Sequence, residues 1–339
     1  MVVLLLVEVT RGPLVESRHY GHVAVVDGRG DIKYSAGDPH YFTYMRSSAK
    51  PLQVIPVIES GAARHFGFSK KQLAVMTGSH AGEDIHTTAV ESILQDIGLR
   101  PEHLMCGTQW PFHRPTTERL RREGLEPGLL HNNCSGKHSA MLALAVFHGY
   151  SIENYLSPDH PVQTAMFNAV SEMCGISPKE VVLGIDGCGV PVFGMPLSAM
   201  ATGFARLASP PDQLPPLRAE ACRAVTGAML AFPEMVSGSK RLDTELMLRT
   251  SGKVVAKIGA EAVHCCGIPE LGLGLAIKIE DGGERAIAPT VIEVLKQIGI
   301  LAGEQLQALR KFHHPEVVNR RGEVVGTIRP AFKLRSGKV

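Results

Sequence analysis

The chain has 339 residues, of which 44% are hydrophobic and only 5% aromatic, with a formal net charge of +2. That is apolar material enough for one large core or two closely packed lobes. Lysine and arginine are scattered and aromatics are few, which argues against a phosphate-tracking stripe or a base-stacking platform, so nucleic acid is not an expected partner. The apolar stretch Met1–Val7 is too short to cross a bilayer, has no basic leader and is interrupted by Glu8. It therefore reads as a first strand, and a membrane is not an expected partner either. Seven cysteines, an odd number that includes the vicinal pair Cys265-Cys266, fit a reduced cytoplasmic set and not a disulfide framework.

In chain order, strand-like runs come first, at 2–8, 22–26 and 32–35, the last two flanking the turn Asp27-Gly28-Arg29-Gly30. Helical patterns follow at about 48–60, 84–98, 134–148, 160–174 and 195–208. The proline-rich segment Ser209 to Pro216 then leads into a further helix at 217–232. Strands return at 254–258, 262–266 and 271–279, closed by Asp281-Gly282-Gly283. No internal repeat or heptad pattern interrupts this order. The expectation is an α+β domain over 1–335, with an antiparallel sheet built from both chain ends (about 1–45 and 250–330) packed against a central helical lobe (about 46–249). The last residues, 336–339, read as an expression remnant.

The densest chemistry lies in His131-Asn132-Asn133-Cys134-Ser135-Gly136-Lys137-His138. Cys134, Lys137 and His138 stand at i, i+3 and i+4, so they share the helix face that continues into Met141, Leu142 and Ala145. A lysine facing a core costs several kcal/mol unless it is paired, neutralised or coordinated. The loop Gly184-Ile185-Asp186-Gly187-Cys188-Gly189 adds a carboxylate and a second thiol in a tight turn. Three readings stay open on these residues. Cys134 and Cys188 bind a metal with either Lys137 or His138; Cys134, His138 and Asp186 form a nucleophilic triad; or the thiols are inert small hydrophobes.

A second chemistry begins at Ser47-Ser48-Ala49-Lys50, where Pro51 must sit in a first helical turn. Ser47 and Lys50 are then one turn apart, close enough for the amine to take the hydroxyl proton. The pattern alone is weak, because Ser237-Gly238-Ser239-Lys240 also matches it in a glycine-rich loop that reads as structural. To serve as a base, Lys50 must drop its pKa from ~10.4 by about 3 units, which burial plus a second cation would achieve. Lys257, in Lys257-Ile258-Gly259, is a candidate for that cation and is similar to the Lys-Thr-Gly element of penicillin-recognising enzymes. Ser79, in Gly78-Ser79-His80-Ala81-Gly82-Glu83, is a candidate proton relay, or a plain helix cap.

Taken together, Arg46-Ser47-Ser48-Ala49-Lys50-Pro51, Gly78 to Glu83, Asn132 to His138, Gly184 to Gly189 and Lys257 to Glu261 resemble the bacterial L-asparaginase II family of the rhizobial, class 3 type, over about residues 5–330. The resemblance implies a fold like that of serine β-lactamases, a homodimer, and hydrolysis of L-asparagine to L-aspartate and ammonia through two Ser-Lys pairs. It implies Ser47 with Lys50 as the primary pair and Ser79 with Lys257 as the second, with Arg46, Asp186 and His138 toward substrate. It also implies zinc on Cys134, Lys137 and Cys188, in an orienting or structural role. Ala262 is a departure, in a register where glycine is expected. The rival readings are a penicillin-recognising type of serine acyltransferase and a non-catalytic metal-binding module.

Overall fold

The computed structural model describes residues 3–337, so Met1, Val2, Lys338 and Val339, which the expected first strand and terminal remnant touch, lie outside the described residues. The chain divides into two compact units, one of Met1–Ser48, Met195–Ser209 and Glu245–Val339, the other of Ala49–Gly194 and Pro210–Thr244.

The first unit is built on an antiparallel sheet from both chain ends, in agreement with the sequence. Among the described residues, neighbouring strands run in the order Glu316–Val318, Val324–Pro330, Leu4–Arg11, Leu14–Asp27, Leu273–Ile279, Val263–Ile268 and Val255–Gly259. Ile32–Ala36 pairs with the Leu14–Asp27 strand, Val23 opposite Ala36. The central strands are buried on every residue from Val263 to Ile268 and from Leu273 to Ile279, which requires cover on both faces. Helices Leu197–Ala208 and Ile287–Gln297 pack on the sheet. The first comes so close at Gly274 that an added Cβ would stand 1.8 Å from the Ala201 carbonyl oxygen.

Four expectations are revised here. The helix expected at 195–208 belongs with the sheet and not with the helical lobe. The Leu14–Asp27 strand is much longer than 22–26, because its outer half alternates exposed Glu16, Arg18 and Tyr20 with more sheltered residues and so lacks a continuous apolar run. Ser336, at the start of the expected remnant, pairs with Tyr34 and continues the pairing of Arg335 with Ser35. Ala262 lies not in a strand but beside Glu261 in the turn between Val255–Gly259 and Val263–Ile268, at φ 55° and 58° respectively. Two adjacent left-handed residues are what a tight hairpin turn demands, which explains the preference for glycine there.

The second unit is helical. Helix Lys50–Glu59 lies at its centre, buried from Lys50 through Val57, and packs against helices Ser135–His148, Pro161–Cys174 and Pro216–Ala231. The helices expected at 84–98, 134–148, 160–174 and 217–232 are all present, within a few residues of their expected ends. Val182–Ile185 pairs antiparallel with residues 191–194, Leu183 opposite Phe193.

Candidate active site

Lys50 begins the central helix with Pro51 behind it, as the sequence requires, and has no solvent exposure. Its ammonium donates to Gly78 O at 2.8 Å, Ser79 Oγ at 2.9 Å and Asn133 O at 3.2 Å. Three donors thus meet three acceptors, and the charged form is well held. Burial nevertheless pushes its pKa below the ordinary lysine value, opposed by the nearby Cys134 thiolate and reinforced by Lys137.

Ser79 is placed by backbone packing. Helix Lys70–Met76 ends just before it, and Gly78 lets two carbonyls approach: an added Cβ there would lie 2.8 Å from Met235 O and 2.9 Å from Val236 O. The Ser79 amide then donates to Val236 O at 2.8 Å. Opposite, helix Ser135–His148 starts against the same turn, and a Cβ on Gly136 would be only 2.2 Å from Val75 O. Glycines at 78 and 136 therefore let the Ser79 turn and the Cys134 helix start come together.

Cys134 is the N-terminal flanking residue of that helix, its amide donating to Asn132 Oδ1 at 2.8 Å. Lys137 Nζ, 2% exposed, donates to Cys188 Sγ at 3.1 Å. A hydrogen bond from Cys188 lowers the Cys134 pKa well below a free thiol, opposed by burial and assisted by Lys50 and Lys137. The reciprocal bond raises that of Cys188. The two sulfurs thus form one hydrogen-bonded pair beside the Lys137 amine. Burial works against the Lys137 ammonium, but Cys188, Cys134 and Asp186 outweigh it and raise its pKa.

His138 is fully buried, and its Nδ1 lies 2.8 Å from Tyr155 Oη, which accepts the Met105 amide at 2.8 Å. The hydroxyl proton is thus directed to Nδ1, leaving Nε2 as an N–H without a partner. Burial holds the ring neutral. Bonded to Tyr155 on one side and unpartnered on the other, His138 makes no link to Cys134 or Asp186, so the triad reading falls. Among the described residues no three His, Cys, Asp or Glu side chains converge as metal ligands. Beside the two thiols stands the Lys137 amine.

Asp186 opens the turn after the Val182–Ile185 strand, its amide donating to Val190 O at 2.8 Å and its carbonyl accepting from Gly189, which sits at φ 86°.

In the sheet unit, Arg46 adopts φ 49°, a left-handed conformation costing a non-glycine residue about 1 kcal/mol or more, and it precedes the half-buried Ser47. Ser48 is buried and donates to Met45 O. Gly259 packs on this turn, where a Cβ would lie 2.9 Å from Met45 O and 3.3 Å from Ser48 N. The strand of Lys257 is thereby set against the turn of Ser47. Lys257 is fully buried and donates to Ile258 O at 2.8 Å.

Sequence reasoning quoted Asn133 and Glu83 within its motifs but gave them no contact, and it did not single out Tyr155. Asn133 could have been suspected from its neighbours; Tyr155 and Glu83 act through partners distant in sequence.

The L-asparaginase II family matches residues 7–330. No curated protein sequence matches the chain. Among solved structures, a β-lactamase from Mycobacterium bovis is similar at 17% identity, over 82% of this chain and 94% of that one, with a TM-score of 0.40. A putative β-lactamase from Bacteroides dorei is similar at 10% identity, over 81% and 93%, with a TM-score of 0.42. At such TM-scores these likenesses carry nothing further. Among the described residues no helix is long and apolar enough to cross a membrane.

Proposed function

The chain belongs to the L-asparaginase II family, and from that premise we propose that it hydrolyses L-asparagine to L-aspartate and ammonia through an acyl-enzyme on an activated serine. The observation that supports a Ser-Lys reading is the fully buried Lys50, its pKa lowered, donating to Ser79 Oγ at 2.9 Å, while the pairing of Lys50 with Ser47 rests on the resemblance to the family.

In this reading Ser47 attacks the side-chain amide carbon while Lys50 takes the hydroxyl proton. The C–N bond breaks, Ser79 and Lys257 relay a proton to the departing nitrogen, and ammonia leaves a β-aspartyl ester on Ser47. Water then adds to the ester carbon, yielding aspartate and restoring the serine. Arg46, Asp186 and His138 hold the substrate, His138 through its unpartnered Nε2–H. Cys134, Lys137 and Cys188 suit zinc, being two adjacent thiols and a buried amine, once the amine has shed its proton. When bound, the ion would supply a fixed positive charge that holds the thiols deprotonated and orients polar groups nearby. The working form is a cytoplasmic homodimer.

Ammonia release from asparagine, with and without chelator and beside a panel of other amides and a β-lactam reporter, tests the reading. Release from asparagine alone supports it; turnover of the β-lactam alone would establish the acyltransferase instead, and no turnover at all a binding module.

A further inference from the structure

The Ser237-Gly238-Ser239-Lys240 segment, which copies the Ser-x-x-Lys spacing without its chemistry, is tied at several points to the turn that carries Ser79. Val236 O accepts the Ser79 amide at 2.8 Å. Glu83, four residues on, takes two bonds from one residue of this segment: the Ser239 amide donates to Oε1 at 2.7 Å and the Ser239 hydroxyl to Oε2 at 2.7 Å. Gly238 is compelled at the crossing, since its φ is 120° and a Cβ would lie 2.5 Å from Ala81 Cβ and 2.8 Å from Glu83 Oε1. His86 closes the far end. Its Nδ1 accepts the Glu83 amide at 3.1 Å, so Nε2 carries the proton and donates to Glu234 O at 2.8 Å. Behind the segment, the buried Thr244 hydroxyl donates to Gly238 O at 2.7 Å and Pro233 O at 3.1 Å.

The Ser79–Val236 bond therefore sits within a clamp, flanked by Glu83–Ser239 and His86–Glu234. We infer that Glu83 is a positioning residue, holding Ser79 Oγ within reach of Lys50 by anchoring its turn to Ser239. The inference rests on the proposed role of Ser79 as a proton relay. Neither Glu83 nor Ser239 needs to touch substrate: a carboxylate accepting two short bonds fixes the turn, and a displacement of about 1 Å at a reacting group costs up to about 10²-fold in rate. The second Ser-x-x-Lys match then has a purpose. Its serine at 239 is a donor to a carboxylate, and its Lys240 lies exposed in a left-handed turn position at φ 60°.

The test is steady-state ammonia release from asparagine at 25 °C, with melting temperatures, for wild type, Ser79→Ala, Glu83→Ala, Glu83→Gln, Ser239→Ala and the Glu83→Ala/Ser239→Ala double variant. Glu83→Ala is expected to lower kcat about 10- to 100-fold with KM within about 3-fold. Glu83→Gln, which keeps one acceptor for the amide, should recover part of that loss. The double variant should be no slower than Glu83→Ala, because the two side chains act as one unit. If Glu83→Ala does not fold, Glu83→Gln and Ser239→Ala decide, each expected to lose kcat about 3- to 10-fold without a matching rise in KM. Ser79→Ala separates the two levels. If it is nearly inactive while the clamp variants keep wild-type kcat, or change only KM or melting temperature, the inference is wrong and the relay stands. If Ser79→Ala keeps wild-type kcat, the relay is wrong and the inference falls with it.

Discussion

Lys50 Nζ stands 2.9 Å from Ser79 Oγ, and the two side chains reach each other from separate elements of the helical unit: one opens a buried helix, the other follows a helix that has just ended. Neither residue could be shifted by a turn without breaking the contact, because Pro51 fixes the helix start and Gly78 admits the carbonyls that hold Ser79. An ammonium so placed is satisfied as a cation, yet burial makes its loss of a proton easier than in water.

Lys50→Arg is accordingly expected to be nearly inactive, falling by about 10³-fold or more in turnover on asparagine, since a guanidinium keeps the charge but sheds no proton. The wild-type pH profile follows from the same sign. The base works only when neutral, so activity should rise with pH through the lowered Lys50 pKa and be lost as pH falls beneath it. A flat profile from about pH 6 to 9 would count against lysine as the base.

Ser47→Ala should lower turnover by at least ~10³-fold, as expected on removal of a covalent nucleophile, while Ser237→Ala should change it little. Ser237 is 1% exposed and its hydroxyl accepts from Arg241 Nε at 3.2 Å, a structural contact whose loss acts on melting temperature and not on chemistry. Retention of more than about a tenth of activity in Ser47→Ala would reassign the nucleophile, with Ser79 next in line.

What was readable in the sequence was local. The Cys134-x-x-Lys137-His138 face, the Pro51 helix start and the strands of both chain ends are set by spacing within a turn or two, and all are present. What was not readable depends on distant partners. Glu83 meets Ser239 across 156 residues, and His138 finds Tyr155 on an irregular segment, so neither pairing leaves a periodic trace. Helix Ile287–Gln297 is not among the helices expected from sequence; its Pro289 occupies the first turn, where proline is tolerated. Helix Leu197–Ala208 was assigned to the wrong lobe because an apolar helix announces that it is buried, not what buries it.

The metal proposal has a discriminating pair. Protein purified without chelator should carry near-stoichiometric zinc, lost in Cys134→Ser, Cys188→Ser and Lys137→Ala, because ligands from two separate segments are each required. His138→Ala should keep the metal, its ring being bonded to Tyr155 instead, and should weaken asparagine binding. Elemental analysis of the purified variants decides. Zinc absent from His138→Ala and present in Lys137→Ala would restore a Cys-Cys-His site.

Two glycine substitutions should move stability in opposite directions. Gly136→Ala drives a methyl to within 2.2 Å of Val75 O and 2.8 Å of Val75 C, backbone atoms that cannot step aside, and should cost about 1–3 kcal/mol. Gly227 lies inside helix Pro216–Ala231 with nothing within 4 Å of a built Cβ, so Gly227→Ala should stabilise by about 0.5–1 kcal/mol. Thermal melts check both. An unchanged melting temperature for Gly136→Ala would mean that the Ser135–His148 helix is not seated on the Val75 turn as described.

The sheet unit carries its own acid-sensitive contact. Glu293 accepts from His313 Nε2 at 2.8 Å, from Gln297 Nε2 at 3.0 Å and from Lys296 at 3.2 Å. Burial alone would raise its pKa, but the bonds from His313, Gln297 and Lys296 more than reverse this and bring it to about 2. A carboxylate depressed in the folded state binds its proton more readily when unfolded, so its stabilising contribution is complete above the unfolded value of about 4.3 and fades as pH falls toward 2. Glu293→Gln should therefore lower the melting temperature at pH 7, where the wild-type carboxylate is ionised, and the gap to wild type should shrink between about pH 4.5 and 2. The measurement is a melting-temperature series for both proteins over that range. A gap that is constant with pH would show that Glu293 contributes by packing and neutral hydrogen bonds, and that its ionised form is not what His313 and Lys296 hold.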